Sequence, residues 1–333
     1  MAIDLSTQYL GMKLDSPLIA SASPLTGDID SLQKLEQAGA SAAVLPSLFE
    51  EQIEHDRQEV QRLHEFQSDS MAESLSFFPE VEYNLGPDQY LKLISDAVST
   101  VKMPIIASLN GSTRGGWVHY AQLMERAGAR AIELNIYFIP TEPNAIADDV
   151  ENQYCELIAA VSETVHIPVG VKIGPYFSSL PDLVRRFVQA GADGLVLFNR
   201  YLAPDIDLET LTFKPDLVLS TADELRVALR WIAILRDQVD ASLAATGGVH
   251  EVPDLVKALL VGSDAVMLAS ALLKQGPNHL DTLRTGLIQW MTEHEYTSVE
   301  QMKGSMSKEN CSNPEGLSRA NYMKALTSYT TSK

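Results

Sequence analysis

Cysteine is scarce. The 333 residues hold two, Cys155 and Cys311, and neither sits in a C-x-x-C or other metal-like spacing. That argues against a disulfide framework and a cysteine-built metal site, and it suits a reducing compartment. Cations are also in deficit, with 25 Lys and Arg against 44 Asp and Glu and a net charge of -19. Such an acidic balance argues against nucleic acid and anionic membranes as partners and favours solubility. No apolar run reaches the roughly 18 residues of a membrane span. The start, MAIDLSTQYLGMKLDS, has no basic segment followed by an apolar core, so it does not read as a signal peptide. A soluble, cytoplasmic protein is expected.

What is present is repetition. QAGA (37–40), RAGA (126–129), QAGA (189–192) and VGSD (261–264) each place a glycine after a helix-like stretch, where a left-handed cap is usual. An apolar run follows each: AAVLPS, AIELNIY, GLVLFN and AVMLAS. Between them lie VKMPIIASLN and VHIPVGVKIG, which share V-x-x-P, the variant VDASLAATGG, and the opening run SPLIASASP. The result is eight apolar runs, near 17–23, 42–47, 104–110, 131–137, 168–174, 194–199, 242–248 and 265–270. Continuous apolar runs suit strands buried on both faces, as in parallel sheets. Helix-like segments separate them, the first with Asp28 or Asp30 as N-cap.

Eight strand–helix units in an α/β chain of this length predict a TIM (β/α)8 barrel, with an open doubly wound sheet as the competing architecture. Long loops follow strands 2 and 6, at 48–86 and 200–221. One domain is expected over 1–300. The polar stretch 303–320 reads as a tail or flexible connection, so 301–333 is expected to be a C-terminal tail with a short helix.

Barrel chemistry is read at the strand C-termini. Ser21 and Ser23 end strand one, Ser47 ends strand two and Asn110 ends strand three. Asn135 and Tyr137 are placed on strand four, Lys172 in strand five and Asn199 at the end of strand six. ATGGV after strand seven and LASALL after strand eight form paired turns of the kind that hold phosphate. Lys172, in GVKIG, is expected to be buried, and a buried lysine needs a partner or loses its proton. It reads as a cation at a cofactor's anionic edge, a Schiff-base nucleophile, or a structural lysine. Three amides around one mouth, Asn110, Asn135 and Asn199, suggest a planar polar ligand.

These residues carry a resemblance. SPLIASAS, IIASLNG, AIELNIY, IPVGVKIGPYF, GLVLFNR, AATGGV and AVMLASALLKQGP follow the order and spacing of the class 1 dihydroorotate dehydrogenases, over roughly residues 5 to 295. The resemblance implies an FMN-binding barrel of pyrimidine biosynthesis, an oxidoreductase acting on CH–CH groups of a small molecule. It implies FMN contacts at the backbone of Ala22 and Ser23 and around Ser47. Asn110, Asn135 and Lys172 would stand at the flavin, and Gly247, Gly248, Ala269 and Ser270 at its phosphate. Asn199 would hold substrate. The related enzymes are often dimers, so a homodimer is the assembly to test.

The departures are specific. The family carries L-N-x-S-C-P-N on strand four, with the cysteine or a serine as base, whereas this chain reads Leu134-Asn135-Ile136-Tyr137-Phe138-Ile139-Pro140. Phe138 stands at the base position and accepts no proton. The family's T-K-S on strand two is Leu45-Pro46-Ser47, so its lysine is gone. The orotate loop N-S-M-G-L-P-N is not recognisable in MAESLSFFPEVEYN, and Ser220 lies near the G-G-x-x-I-K-P segment without its glycines or lysine. Tyr137 is the local candidate acid, with a packed aromatic as the plainer reading. His55, His64 and Glu73 are candidate bases from the long second loop. A different substrate is therefore expected. A Schiff-base lyase or aldolase using Lys172 and a non-catalytic FMN-binding barrel are the alternatives.

Overall fold

The computed structural model describes residues 3–49, 86–110, 117–200, 203–214 and 217–317, with Tyr322 and Leu326. Two short strands, β1 (Thr7–Tyr9) and β2 (Met12–Leu14), form an antiparallel hairpin. The barrel is built from β3 (Leu18–Ala20), β4 (Ala42–Phe49), β5 (Ile105–Asn110), β6 (Ala131–Asn135), β7 (Val169–Ile173), β8 (Gly194–Leu197), β11 (Ser242–Thr246) and β12 (Ala265–Leu268). Their order is β11-β12-β3-β4-β5-β6-β7-β8, and β11 pairs in parallel with both β12 and β8, so the sheet closes. Closure decides for the TIM barrel over the open sheet. The loop after β8 carries an exposed antiparallel hairpin, β9 (Asp205–Asp207) with β10 (Thr212–Lys214). Most of the loop after β4, including His55, His64 and Glu73, lies outside the described residues.

Helices α1 (Ile29–Gln37), α2 (Pro87–Thr100), α3 (Trp117–Arg126), α4 (Ala147–Ser162), α5 (Leu180–Gln189), α6 (Leu225–Leu235), α7 (Val252–Val261), α8 (Ser270–Gln275), α9 (His279–Glu293) and α10 (Val299–Met302) follow in chain order. Asp28, not Asp30, caps α1, accepting from Ser31 N at 2.9 Å. The four repeat glycines, Gly39, Gly128, Gly191 and Gly262, all have φ between +101 and +116. That is the left-handed turn that lets each helix reverse into the next strand. No described helix is long and apolar enough to cross a membrane.

Side-chain alternation splits the core in two. One set, including Leu18, Leu45, Ile132, Leu134 and Val171, packs outward under the helices. The other, including Ile19, Val44, Ile106, Ala131, Val196, Ala244 and Met267, fills the barrel with Tyr9, Leu10 and Leu14 of the hairpin. The hairpin plugs the N-terminal end. Leu10 N donates to Ser242 Oγ at 3.0 Å, and a Cβ at Gly194 would lie 2.7 Å from a Leu10 methyl. With the bottom stoppered by the hairpin, the C-terminal mouth offers an open, polar interior.

The C-terminal segment departs from the expectation of a flexible connection beginning at 303. Gly304 N, Met306 N and Lys308 N donate to Leu259 O, Leu260 O and Ala233 O. Lys303 Nζ is buried against Asp264 Oδ1 at 2.9 Å. Its backbone amides satisfy carbonyls of α6 and α7, and Lys303 meets Asp264 just before β12, contacts that composition alone does not reveal.

Candidate functional site at the C-terminal mouth

A cavity of about 230 Å³ opens at the strand C-termini, and Ala22, Ser23, Lys172, Asn199, Gly247, Gly248, Ala269 and Ser270 all line it. Residues far apart in sequence converge because barrel closure brings β3, β7, β8, β11 and β12 to one rim. Ser23 Oγ is buried there with no hydrogen-bond partner. Asn135, at the end of β6, reaches the same group: its Oδ1 accepts from Asn199 Nδ2 at 2.6 Å. Asn110 ends β5 in register with Asn135 and is buried.

Two expected residues sit differently. Ser47 is not the end of its strand, which runs to Phe49, and its Oγ lies 2.8 Å from Ser108 Oγ. The ladder shifts register between Val44 and Ser47. Pro46, which lacks an N–H, falls within that shift and cannot donate to the ladder. Tyr137 is not on strand four. β6 ends at Asn135, Ile136 N makes a last bond to Lys172 O, and the chain then leaves the sheet. Phe138 is half-buried against the outer apolar core.

The turns after β11 and β12 have a more particular geometry than exposed amides at a helix start. Asp254 Oδ2 accepts from His250 N at 3.2 Å and Glu251 N at 3.1 Å, so these two amides preceding α7 are already satisfied. The Gly247–Gly248 turn precedes them, with φ of +82 and +81. A Cβ at Gly247 would meet nothing within 4 Å, so that position faces open space. At Gly248 a Cβ would lie 2.6 Å from Thr221 O and 2.7 Å from Leu225 N. Gly248→Ala is therefore expected to cost about 2 kcal/mol or more, from left-handed strain plus overpacking. Urea unfolding measures this, and an unchanged midpoint would show that the backbone has room.

In the sequence Ser220 marks only a departure from the family segment; the structure makes it a bridge. Its N donates to Ser270 Oγ at 3.1 Å and its Oγ accepts from Gly248 N at 3.1 Å. Its carbonyl accepts from Lys274 Nζ at 3.2 Å and lies 2.7 Å from His250 Nε2. A segment from the loop after β8 thus staples the two turns together.

Glu133 escaped sequence reading because it stands inside an apolar run. The available signal was period two: Ala131, Glu133 and Asn135 share the inward face. The carboxylate is buried, and Lys172 Nζ lies 3.6 Å away. The buried lysine expected from GVKIG therefore has its anion within the barrel.

A closed (β/α)8 barrel with a polar cavity at its C-terminal mouth, beneath turns after the seventh and eighth strands, belongs to the architecture in which active sites occupy that face. The dihydroorotate dehydrogenase family model matches residues 4–291, and the chain belongs to that family. It is 30% identical over 235 residues to a putative dihydroorotate dehydrogenase A (fumarate) of Aeropyrum pernix, covering 66% of this chain and 73% of that one. It is also 30% identical over 209 residues to the catalytic subunit of dihydroorotate dehydrogenase B (NAD(+)) of Shouchella clausii, covering 61% and 68%. The corresponding subunit of Methanothermobacter thermautotrophicus is 28% identical over 226 residues, covering 64% and 71%.

Proposed function

We propose that this protein is an FMN-dependent oxidoreductase acting on a small molecule other than dihydroorotate. The observation that carries the reading is the buried Lys172–Glu133 pair, whose lysine lines a cavity that the Gly247–Gly248 and Ala269–Ser270 turns also line. A cation and two turns of this kind lining one cavity suit a ligand with an anionic ring edge and a phosphate. The orphaned Ser23 hydroxyl and the open space at Gly247 support the same ligand.

Gly247, Gly248, Ala269 and Ser270 would hold the phosphate. Ala22, Ser23, Asn110, Asn135 and Lys172 would hold the ring, with Ser47 supporting it through Ser108. Asn199, tied to Asn135, would orient substrate at the ring. When bound, FMN supplies two-electron redox chemistry. The chain's own part is to place the ring, exclude water with the plugged barrel, and present the Lys172 charge. Tyr137 is the proposed proton-handling group near the mouth.

Lys172 is engaged in an ion pair with Glu133 rather than standing free as a Schiff-base nucleophile, so the pair weighs against the lyase reading. The visible spectrum tests this. The purified protein is expected to be yellow and to release FMN on denaturation. A colourless protein that takes up no added FMN, or a borohydride-trapped adduct on Lys172, would sink the proposal.

A further inference from the structure

Glu133 is held in surroundings that do little for a charge. It is 1% exposed, and neither carboxylate oxygen has a hydrogen-bond partner. Its sheet neighbours are Ser108 and Gly170. Ser108 directs its hydroxyl to Ser47 and its amide to Tyr90 Oη, and Gly170 has no side chain. Tyr9 rises toward it from the hairpin plug. Burial pushes the Tyr9 phenol well above its ordinary value, and the Glu133 charge raises it further. An anion buried without donors is unfavourable unless a counter-ion compensates it. Among the described residues, Lys172 is the cation paired with Glu133.

That dependence runs both ways. Lys172 is itself buried, and its β7 position registers with Asn135 at the cavity rim. We infer that Glu133 is a positioning residue: it holds the Lys172 side chain directed at the mouth, so that the placement of the charge presented to the cofactor depends on a carboxylate beneath it. This rests on the FMN reading above. With Gln at 133, the buried ammonium loses its counter-ion, and the lysine turns away from the mouth.

The test is titration of the full-length apo chain with FMN, followed by flavin fluorescence quenching, and the midpoint potential of the loaded protein. Lys172→Met is expected to weaken FMN binding about tenfold and to lower the potential. Glu133→Gln is expected to do the same in both readouts. The double variant should lose no more than either single one, because both remove one coupled pair. Wild-type affinity and potential in Glu133→Gln, beside a loss in Lys172→Met, would overturn the inference, as would additive losses in the double variant. If the wild-type chain takes up no FMN, or Lys172→Met binds it unchanged, the cofactor reading itself fails. Should Glu133→Gln not fold, Glu133→Asp keeps the charge but withdraws it by one methylene. An intermediate loss is expected there, and wild-type values would overturn the inference.

Discussion

Asp264→Asn is expected to lower the unfolding free energy by about 3–5 kcal/mol, the range for removing one partner of a buried ion pair. The carboxylate is 7% exposed and gathers three donors. Arg236 Nη1 approaches both oxygens at 3.0 and 2.9 Å, Lys303 Nζ lies at 2.9 Å, and Leu243 N donates at 2.8 Å. These groups come from the C-cap of α6, from the segment after α10, and from β11. One carboxylate therefore ties the C-terminal segment to the base of the barrel.

Asparagine can still accept from Leu243 N, but its NH2 then faces the cationic donors at the other oxygen, so the loss combines the charge with one acceptor. Lys303 would remain 4% exposed, and its other partner, Glu300, is 66% exposed and screened by solvent. Urea unfolding should show a lower midpoint with an unchanged slope. Adding Lys303→Met, which removes the stranded cation, should recover part of the loss. A loss below about 1 kcal/mol for Asp264→Asn would mean the segment is held by its backbone bonds and apolar contacts instead.

The second large effect concerns the reaction. Dihydroorotate, mixed anaerobically with the FMN-loaded protein, is expected to bleach the flavin roughly 10² to 10⁴ times more slowly than a site with a positioned base, the usual share of general base catalysis. Phe138 has no atom that accepts a proton, and it is half-buried against the outer core. The lysine that the resemblance places on strand two is Pro46 here. Dithionite should reduce the same flavin at once, separating a redox-competent cofactor from a missing substrate chemistry. Phe138→Ser alone should restore little, because the cation at position 46 is still missing. Bleaching by dihydroorotate within seconds would show that another group serves as base. Tyr137→Phe would then be the variant to compare.

Much of this molecule could be read from short stretches. A glycine after each helix, a run of apolar residues after each glycine, and Asp28 before α1 are local requirements of caps and strands, legible within a few positions. The polar residues at strand ends were legible for the same reason, since a side chain costly to bury stands out in an apolar run. Lys172 needed a partner on that argument alone. The misplacements have a common cause. Tyr137 continues the apolar pattern of AIELN, but strand length is set by pairing with β7, whose ladder gives its last bond at Ile136. The polar composition of 303–320 reads as a tail or flexible connection, yet the backbone of its first residues bonds to α6 and α7.

What the sequence determined by itself was the repeat of eight units, the barrel it implies, and the two turns with the lysine that mark one mouth. Only the tertiary structure decided which groups meet there: Glu133 beneath Lys172, Asn199 on Asn135 across 64 residues, and Ser220 on Gly248 across 28. Such pairings are fixed by strand register and by the closing of β11 onto both β8 and β12. Closure is a property of the whole sheet, and no local run of residues encodes it.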